Sequence, residues 1–134
     1  MTLQLADANR AIAAALAKAK QLDVAVSVSI CDPSGRLIAH QRMDGVFAMA
    51  SRVGKAVAAA ETGSPSEDNL SEITRHMHTA NVTDAGGPHI RRRGGLPIIR
   101  WGKLEGAVGV SGAHTNDQDQ ECARAAVDSL RTES

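Results

Sequence analysis

Aromatic side chains are nearly absent from this sequence. Phe47 and Trp101 are its only phenylalanine and tryptophan, and it has no tyrosine. Proteins that bind single-stranded nucleic acid stack the bases on exposed aromatic rings, so a surface of that kind is not expected here. The 15 basic and 15 acidic side chains also cancel. This balance excludes a strong overall field that would attract nucleic acid or an anionic membrane surface.

Cysteine is scarce as well, since Cys31 and Cys122 are the two in the chain. Two are too few for a disulfide scaffold. Each lies in an apolar pattern, which predicts buried thiols rather than metal ligands or nucleophiles. No apolar run approaches the ~20 residues needed to cross a bilayer, and the N-terminus lacks the pattern of a signal peptide. We therefore expect a cytoplasmic protein with neither a membrane nor a nucleic-acid partner.

The sequence is predicted to form one domain, residues 1–134, around a single core. Of its 134 residues, 43% are hydrophobic and 22% are charged, as is usual for a globular protein. Hydrophobic periodicity and turn residues predict helices at about 5–22, 47–61, 64–78 and 115–130, and strands at about 24–31, 36–43, 94–100 and 103–111. Because hairpins alternate with helices, we expect an α+β fold with an antiparallel sheet flanked by helices, in the order αββααββα.

The last hairpin carries glycine at both of its outer ends. Its two strands are joined at Trp101-Gly102, and antiparallel pairing would bring Gly94-Gly95 close to Ser111-Gly112. Glycine leaves no Cβ between the backbone and an approaching group. We call this the glycine end of the hairpin, and we interpret it as a ligand-binding face. Close packing of a helix on the sheet is the alternative explanation.

A set of short motifs resembles the GlcG/HbpS-like family of small haem-binding proteins, which is related to the C-terminal domain of PduO-type proteins. The motifs are Asp32 with Gly35, Arg42–Gly45, Lys55-Ala56, Gly94–Ile98, Gly102, Gly106–Gly112 and Gln118-Asp119. The resemblance implies a profilin-like fold, assembly into a homo-oligomer, and a pocket on the sheet that in some members holds haem or another tetrapyrrole. The resemblance does not identify which residue of this sequence would be an axial ligand of the iron.

Two histidines lie in glycine-bearing loops beside the glycine end, namely His89 and His114. A neutral imidazole there could bind haem iron, or it could act as an acid or base near neutral pH. Arg91, Arg92 and Arg93 form a compact positive patch that could hold carboxylates. A solvated surface loop is the alternative explanation for all of these side chains.

The predicted site follows from these features. The predicted ligand-binding residues are Arg91, Arg92, Arg93, Gly94, Gly95, Pro97 and Ser111, with His89 and His114 as candidate catalytic residues. No metal site is predicted, because no Cys or His pairs show zinc-finger spacing. Lys55 lies beside the Val53 and Val57 stripe of a helix, and it is predicted to be a surface lysine.

Three functions are compatible with this pattern. The first is a small-ligand binding protein whose ligand is haem or a related tetrapyrrole. The second is a cofactor-independent enzyme for a small carboxylated catabolite, in which the arginines hold the acid group, a histidine moves protons and the Gly94-Gly95 N–H groups stabilise an oxyanion. The third is an oligomeric accessory protein with a vestigial pocket.

Overall fold

Four antiparallel strands form one sheet in this protein, whose structure is a computed structural model that describes residues 3–46, 54–65 and 94–131. The strands are β1 (Ser27–Cys31), β2 (Leu37–Arg42), β3 (Gly95–Arg100) and β4 (Lys103–Ser111). Their order across the sheet is β2-β1-β4-β3, so the two hairpins meet where β1 pairs with β4. β1 is buried at every residue, because it is covered on both faces.

The described helices cover both faces of the sheet. They are α1 (Leu5–Gln21), α2 (Gly54–Thr62) and α3 (Asn116–Ser129). α1 and α3 pack against each other, and together with the valine and isoleucine side chains of β1 and β4 they form the main core. α2 packs on the opposite face through its alanines, in a second cluster that also contains Cys31 and Ala107. The predicted α+β class and the order of the described elements are confirmed.

The element bounds differ from the prediction in one informative place. The first strand was expected from residue 24, but β1 begins at Ser27. The Val24 N–H still bonds to the Ala19 carbonyl of α1, and Asp23 has a positive φ of 58°, so the chain is completing the helix end at that point. Residues 47–53 of the predicted second helix, and nearly all of the predicted helix at 64–78, lie outside the described residues.

The turn of the second hairpin and the start of α3 form as predicted. Trp101 and Gly102 both have positive φ, 51° and 72°, as a tight two-residue hairpin turn requires. Thr115 Oγ1 accepts the Gln118 N–H at 3.1 Å, and Gln118 Oε1 accepts the Thr115 N–H at 3.2 Å, which is a capping box. α3 therefore begins only five residues after β4 ends. Its first turns lie beside the glycine end of the hairpin.

None of the helices within the described ranges is long and apolar enough to cross a membrane.

Candidate functional site

The two arms of the glycine end meet as the hairpin pattern predicts. The Val110 N–H donates to the Gly94 carbonyl at 2.8 Å, and Gly95 lies opposite Gly109 in the pairing of β3 with β4. Gly94 and Gly112 have positive φ values of 120° and 111°, which favour glycine at both positions. Gly94, Gly95, Ser111 and Gly112 therefore lie at the same end of the sheet.

The space over Gly94 is filled by side chains from two helices. A Cβ added at Gly94 would lie 2.5 Å from the Val110 carbonyl oxygen, 2.8 Å from Lys55 Nζ and 3.0 Å from Asp119 Cβ. Such distances leave no room for any side chain. Close packing, the alternative explanation given above, therefore accounts for glycine at this position. Ligand contact by Gly94 stays a prediction.

Lys55 and Asp119 form a buried ion pair at the glycine end. Lys55 Nζ donates to Asp119 Oδ2 at 3.0 Å and to the Val110 carbonyl oxygen at 2.9 Å. The two residues are only 4% and 3% exposed. The prediction that Lys55 is a surface lysine is therefore wrong. α2 lies flat on β4, which places the lysine against the end of the strand, where a carbonyl and a carboxylate satisfy its charge.

The first turns of α3 hold both arms of the glycine end. Asp119 Oδ1 accepts the Ala113 N–H at 3.0 Å, and Gln120 Oε1 accepts the Gly94 N–H at 3.2 Å. Burial raises the pKa of the Asp119 carboxyl, whereas the Lys55 ammonium and the Ala113 N–H act in the opposite direction. One helix, one ion pair and two backbone hydrogen bonds thus set the shape of this region.

The remaining predicted site residues occupy different surroundings. His114 follows Ala113 and is exposed, Ser111 is half-buried opposite Ser27, and Pro97 is half-buried opposite Ala107. The structure thus brings Gly94, Gly95, Ser111 and His114 to one end of the sheet, with Pro97 two residues further along β3. His89, Arg91, Arg92 and Arg93 lie outside the described residues, and their roles stay predictions.

A second polar arrangement, missed from the sequence, lies on the sheet face that α2 covers in part. Ser29 Oγ and His40 Nδ1 are 2.7 Å apart across the β1–β2 pair. Burial, and after it the positive charge of Arg42, lowers the pKa of His40 and so favours the neutral imidazole. The alternation of Ser27 and Ser29 with apolar residues is the one feature of the sequence that indicates polar side chains on this face. The shift in strand pairing between Ile30 and Cys31, which sets His40 opposite Ser29, does not follow from that alternation.

The two thiols are unsuited to nucleophilic chemistry or metal binding. Cys31 and Cys122 are free and buried, as predicted. Burial is the main cause that raises the pKa of Cys31 to about 12 and that of Cys122 to about 11. Within the described ranges, moreover, no cluster of three or more His, Cys, Asp or Glu side chains is arranged to hold a metal ion.

A thiol assay tests whether the two cysteines remain protonated and buried in the folded protein. Because the thiolate is the reactive form, we expect neither cysteine of the folded protein to react appreciably with a disulfide reagent at pH 8. Both should react rapidly once the chain is unfolded in guanidinium chloride. The absorbance of the released thiolate reports the rate. A fast reaction of the folded protein at pH 8 would contradict the burial of the thiols.

These features define a class of small α+β domain. It consists of an antiparallel sheet between helical layers, with a glycine-ended hairpin locked by a buried lysine–aspartate pair. The chain belongs to the HbpS-like family, because the family model described as "Haem degrading protein HbpS-like" matches residues 3–128. The resemblance drawn from the sequence motifs is thereby confirmed.

Individual relatives cover most of the chain. Protein GlcG of Escherichia coli strain K12 is 34% identical over 106 residues, which are 78% of this chain and 77% of GlcG. The crystal structure of Klebsiella pneumoniae protein ORFY is similar with a TM-score of 0.85 and 33% identity, over 96% of this chain and 90% of ORFY. The crystal structure of the PduOC:heme complex has a TM-score of 0.83 and 27% identity, over 97% of this chain and 96% of PduOC.

Proposed function

We propose that this protein binds haem or a related tetrapyrrole. The observation that carries the proposal is its similarity, along almost the entire length of both chains, to PduOC, which was crystallised with heme. The family description points to the same ligand. A shared fold alone would not support a shared ligand. Two further observations support a shared ligand: the sequence identity to PduOC is 27%, and the family model matches residues 3–128.

The side chains of the described residues fit the chemistry of haem. Iron needs a nitrogen, sulfur or oxygen ligand from the protein. Thiolate ligation is disfavoured because both thiols are buried with raised pKa values. Within residues 3–46, 54–65 and 94–131, two imidazoles are accessible in whole or in part, those of His114 and His40. Guanidinium groups are suited to the two propionates, and Arg42 is an exposed example.

The finer expectations from the sequence remain proposals. Arg91, Arg92 and Arg93 would hold the propionates, and His89 or His114 would approach the iron. Self-association into a homo-oligomer and a cytoplasmic location also stay predictions. In the alternative of an enzyme for a small carboxylated catabolite, these three arginines would hold the acid group, His89 or His114 would move protons and the Gly94-Gly95 N–H groups would stabilise an oxyanion. The Gly94 N–H already donates to Gln120 Oε1 at 3.2 Å, which disfavours its part in that role.

Haemin titration tests the proposed function. We expect a shift of the Soret band that saturates at one haemin per chain, because a specific binding site is occupied with a fixed stoichiometry. His114→Ala or His89→Ala should weaken binding if the substituted residue ligates the iron. The chain unfolded in urea serves as the control for nonspecific adsorption. If the folded protein, verified by circular dichroism, produced no saturable shift, the proposal would be wrong.

A further inference from the structure

We infer that His40 ligates the haem iron through Nε2 and that Ser29 is the positioning residue that orients its imidazole ring. The inference rests on the proposed function and adds the identity of the ligand. It does not depend on the glycine end of the hairpin, where the sequence had suggested His114. It follows from one hydrogen bond and from the position of the two residues in the sheet.

The hydrogen bond leaves one ring nitrogen available. Ser29 Oγ lies 2.7 Å from His40 Nδ1. When Nδ1 carries the proton and donates it to this oxygen, Nε2 keeps its lone pair and can bind a metal. Histidines that bind metals usually make such a hydrogen bond through the other nitrogen, which fixes both the tautomer and the ring orientation. Within residues 3–46, 54–65 and 94–131, Ser29 is the ring's one hydrogen-bond partner.

Ser29 is a rigid support for the ring. It is 1% exposed and lies in β1, which pairs with both β2 and β4. Gly109 is opposite Ser29 on its other side, and the backbone of Ala56 in α2 packs directly over that glycine. The backbone and Cβ of Ser29 therefore cannot shift away from His40 without disturbing the centre of the sheet. Fixing a ligand in advance lowers the entropy lost on binding.

His40 itself is only partly covered by the described residues. It is half-buried on the edge strand β2, and the described part of α2, although it lies on the same face of the sheet, packs mainly on β4 and β3, towards the opposite edge. Arg42 follows two residues later, so its side chain emerges on the same face, and it is exposed. Its positive charge complements a propionate beside the iron site.

His114 lacks these supports. It is exposed, and among the described residues its side chain has no hydrogen-bond partner. An unsupported loop histidine must lose more rotamer freedom to ligate iron than a ring that is already fixed. For this reason the geometry favours His40 over His114.

The experiment compares haemin binding by the wild type with that of five variants, using the Soret band, electron paramagnetic resonance and resonance Raman spectroscopy. We expect His40→Ala to weaken binding about 100-fold or more and to change the spin state of the iron, with added imidazole restoring the wild-type spectrum. Ser29→Ala should weaken binding by about 10- to 100-fold and shift the iron–histidine stretch of the ferrous complex. Gln41→Ala, a neighbour on the opposite face of β2, should bind as the wild type does.

The other possible results distinguish a failure of the inference about His40 from a failure of the proposed haem binding. If the wild type binds haemin and His40→Ala gives the same affinity and spectrum, the inference is wrong while the proposed function stands. If His114→Ala alone loses the wild-type spectrum, His114 is the ligand and the Ser29–His40 pair is structural. If the wild type does not bind, the proposed function itself fails. His40→Gln, which keeps a polar side chain of similar size, is measured in parallel and replaces His40→Ala if that variant does not fold.

Discussion

Asp119→Ala should lower the free energy of unfolding by about 3 to 5 kcal/mol, because it removes the Asp119 carboxylate from contact with a buried ammonium group. For a domain of this size the loss corresponds to a fall in melting temperature of roughly 10 to 20 °C. Lys55 is 4% exposed, so water cannot replace the lost carboxylate without local unfolding. Thermal unfolding followed by circular dichroism gives the melting temperature, and urea unfolding gives the free energy.

The chain offers a matched control on its surface. Arg131 and Asp128 form an ion pair at 3.3 Å, but their side chains are 70% and 50% exposed. Asp128→Ala should therefore change the free energy of unfolding by only about 0.5 kcal/mol. Replacing both buried partners, with Lys55→Met and Asp119→Leu together, should recover much of the stability lost in Asp119→Ala. Equal effects of Asp119→Ala and Asp128→Ala would show that the Lys55–Asp119 pair is not buried in solution.

Gly109→Ala should destabilise the protein by about 1 to 3 kcal/mol or more, because it overpacks the contact between α2 and β4. The added Cβ would lie 2.5 Å from the Ala56 backbone nitrogen and 3.2 Å from Ala56 Cα. These are backbone atoms, so no rotamer change can relieve the contact, and α2 must move away from the sheet. Since Lys55 directly precedes Ala56 in α2, the same movement should disturb the ion pair of Lys55 with Asp119. Urea unfolding measures the loss.

Gly102→Ala separates crowding from backbone strain. Gly102 has a positive φ of 72°, but a Cβ there would have no atom within 4 Å. Its cost is therefore limited to the left-handed backbone conformation, roughly 1 to 2 kcal/mol. Gly109 carries no such conformational cost, so its effect comes from crowding alone. A Gly109→Ala protein as stable as the wild type would mean that α2 does not rest on β4 at this point.

The local sequence pattern was sufficient to predict the turn and the helix start that flank the candidate site. The turn at Trp101-Gly102 and the capping box of Thr115 with Gln118 depend on residues at most three positions apart, and both were predicted correctly. The approach of Gly94-Gly95 to Ser111-Gly112 follows from the hairpin pattern, but a register shift between Ile98 and Ile99 decides that Gly94 meets Val110. The shift in the start of β1 shows the limit of this reasoning, since alternation of apolar residues begins before strand pairing does.

The two polar pairs of the site could not be predicted in the same way. Lys55 and Asp119 are 64 residues apart. Ser29 and His40 are opposite each other only because the pairing of β1 with β2 shifts by one residue between Ile30 and Cys31. A lysine beside an apolar stripe is usually found on the surface. Its burial here depends on α2 lying against the end of β4 opposite the first turns of α3.

The amino-acid sequence by itself determined the α+β class, the order of the described helices and strands, the glycine-ended hairpin and the family motifs, because these depend on periodicity and on residues close along the chain. Only the tertiary structure decided that Lys55 neutralises Asp119 and that Ser29 supports His40. Helix placement and strand pairing bring these groups together. Because Lys55 and Ser29 are buried, water cannot take the place of the protein partner of the Lys55 charge or of the Ser29 hydroxyl.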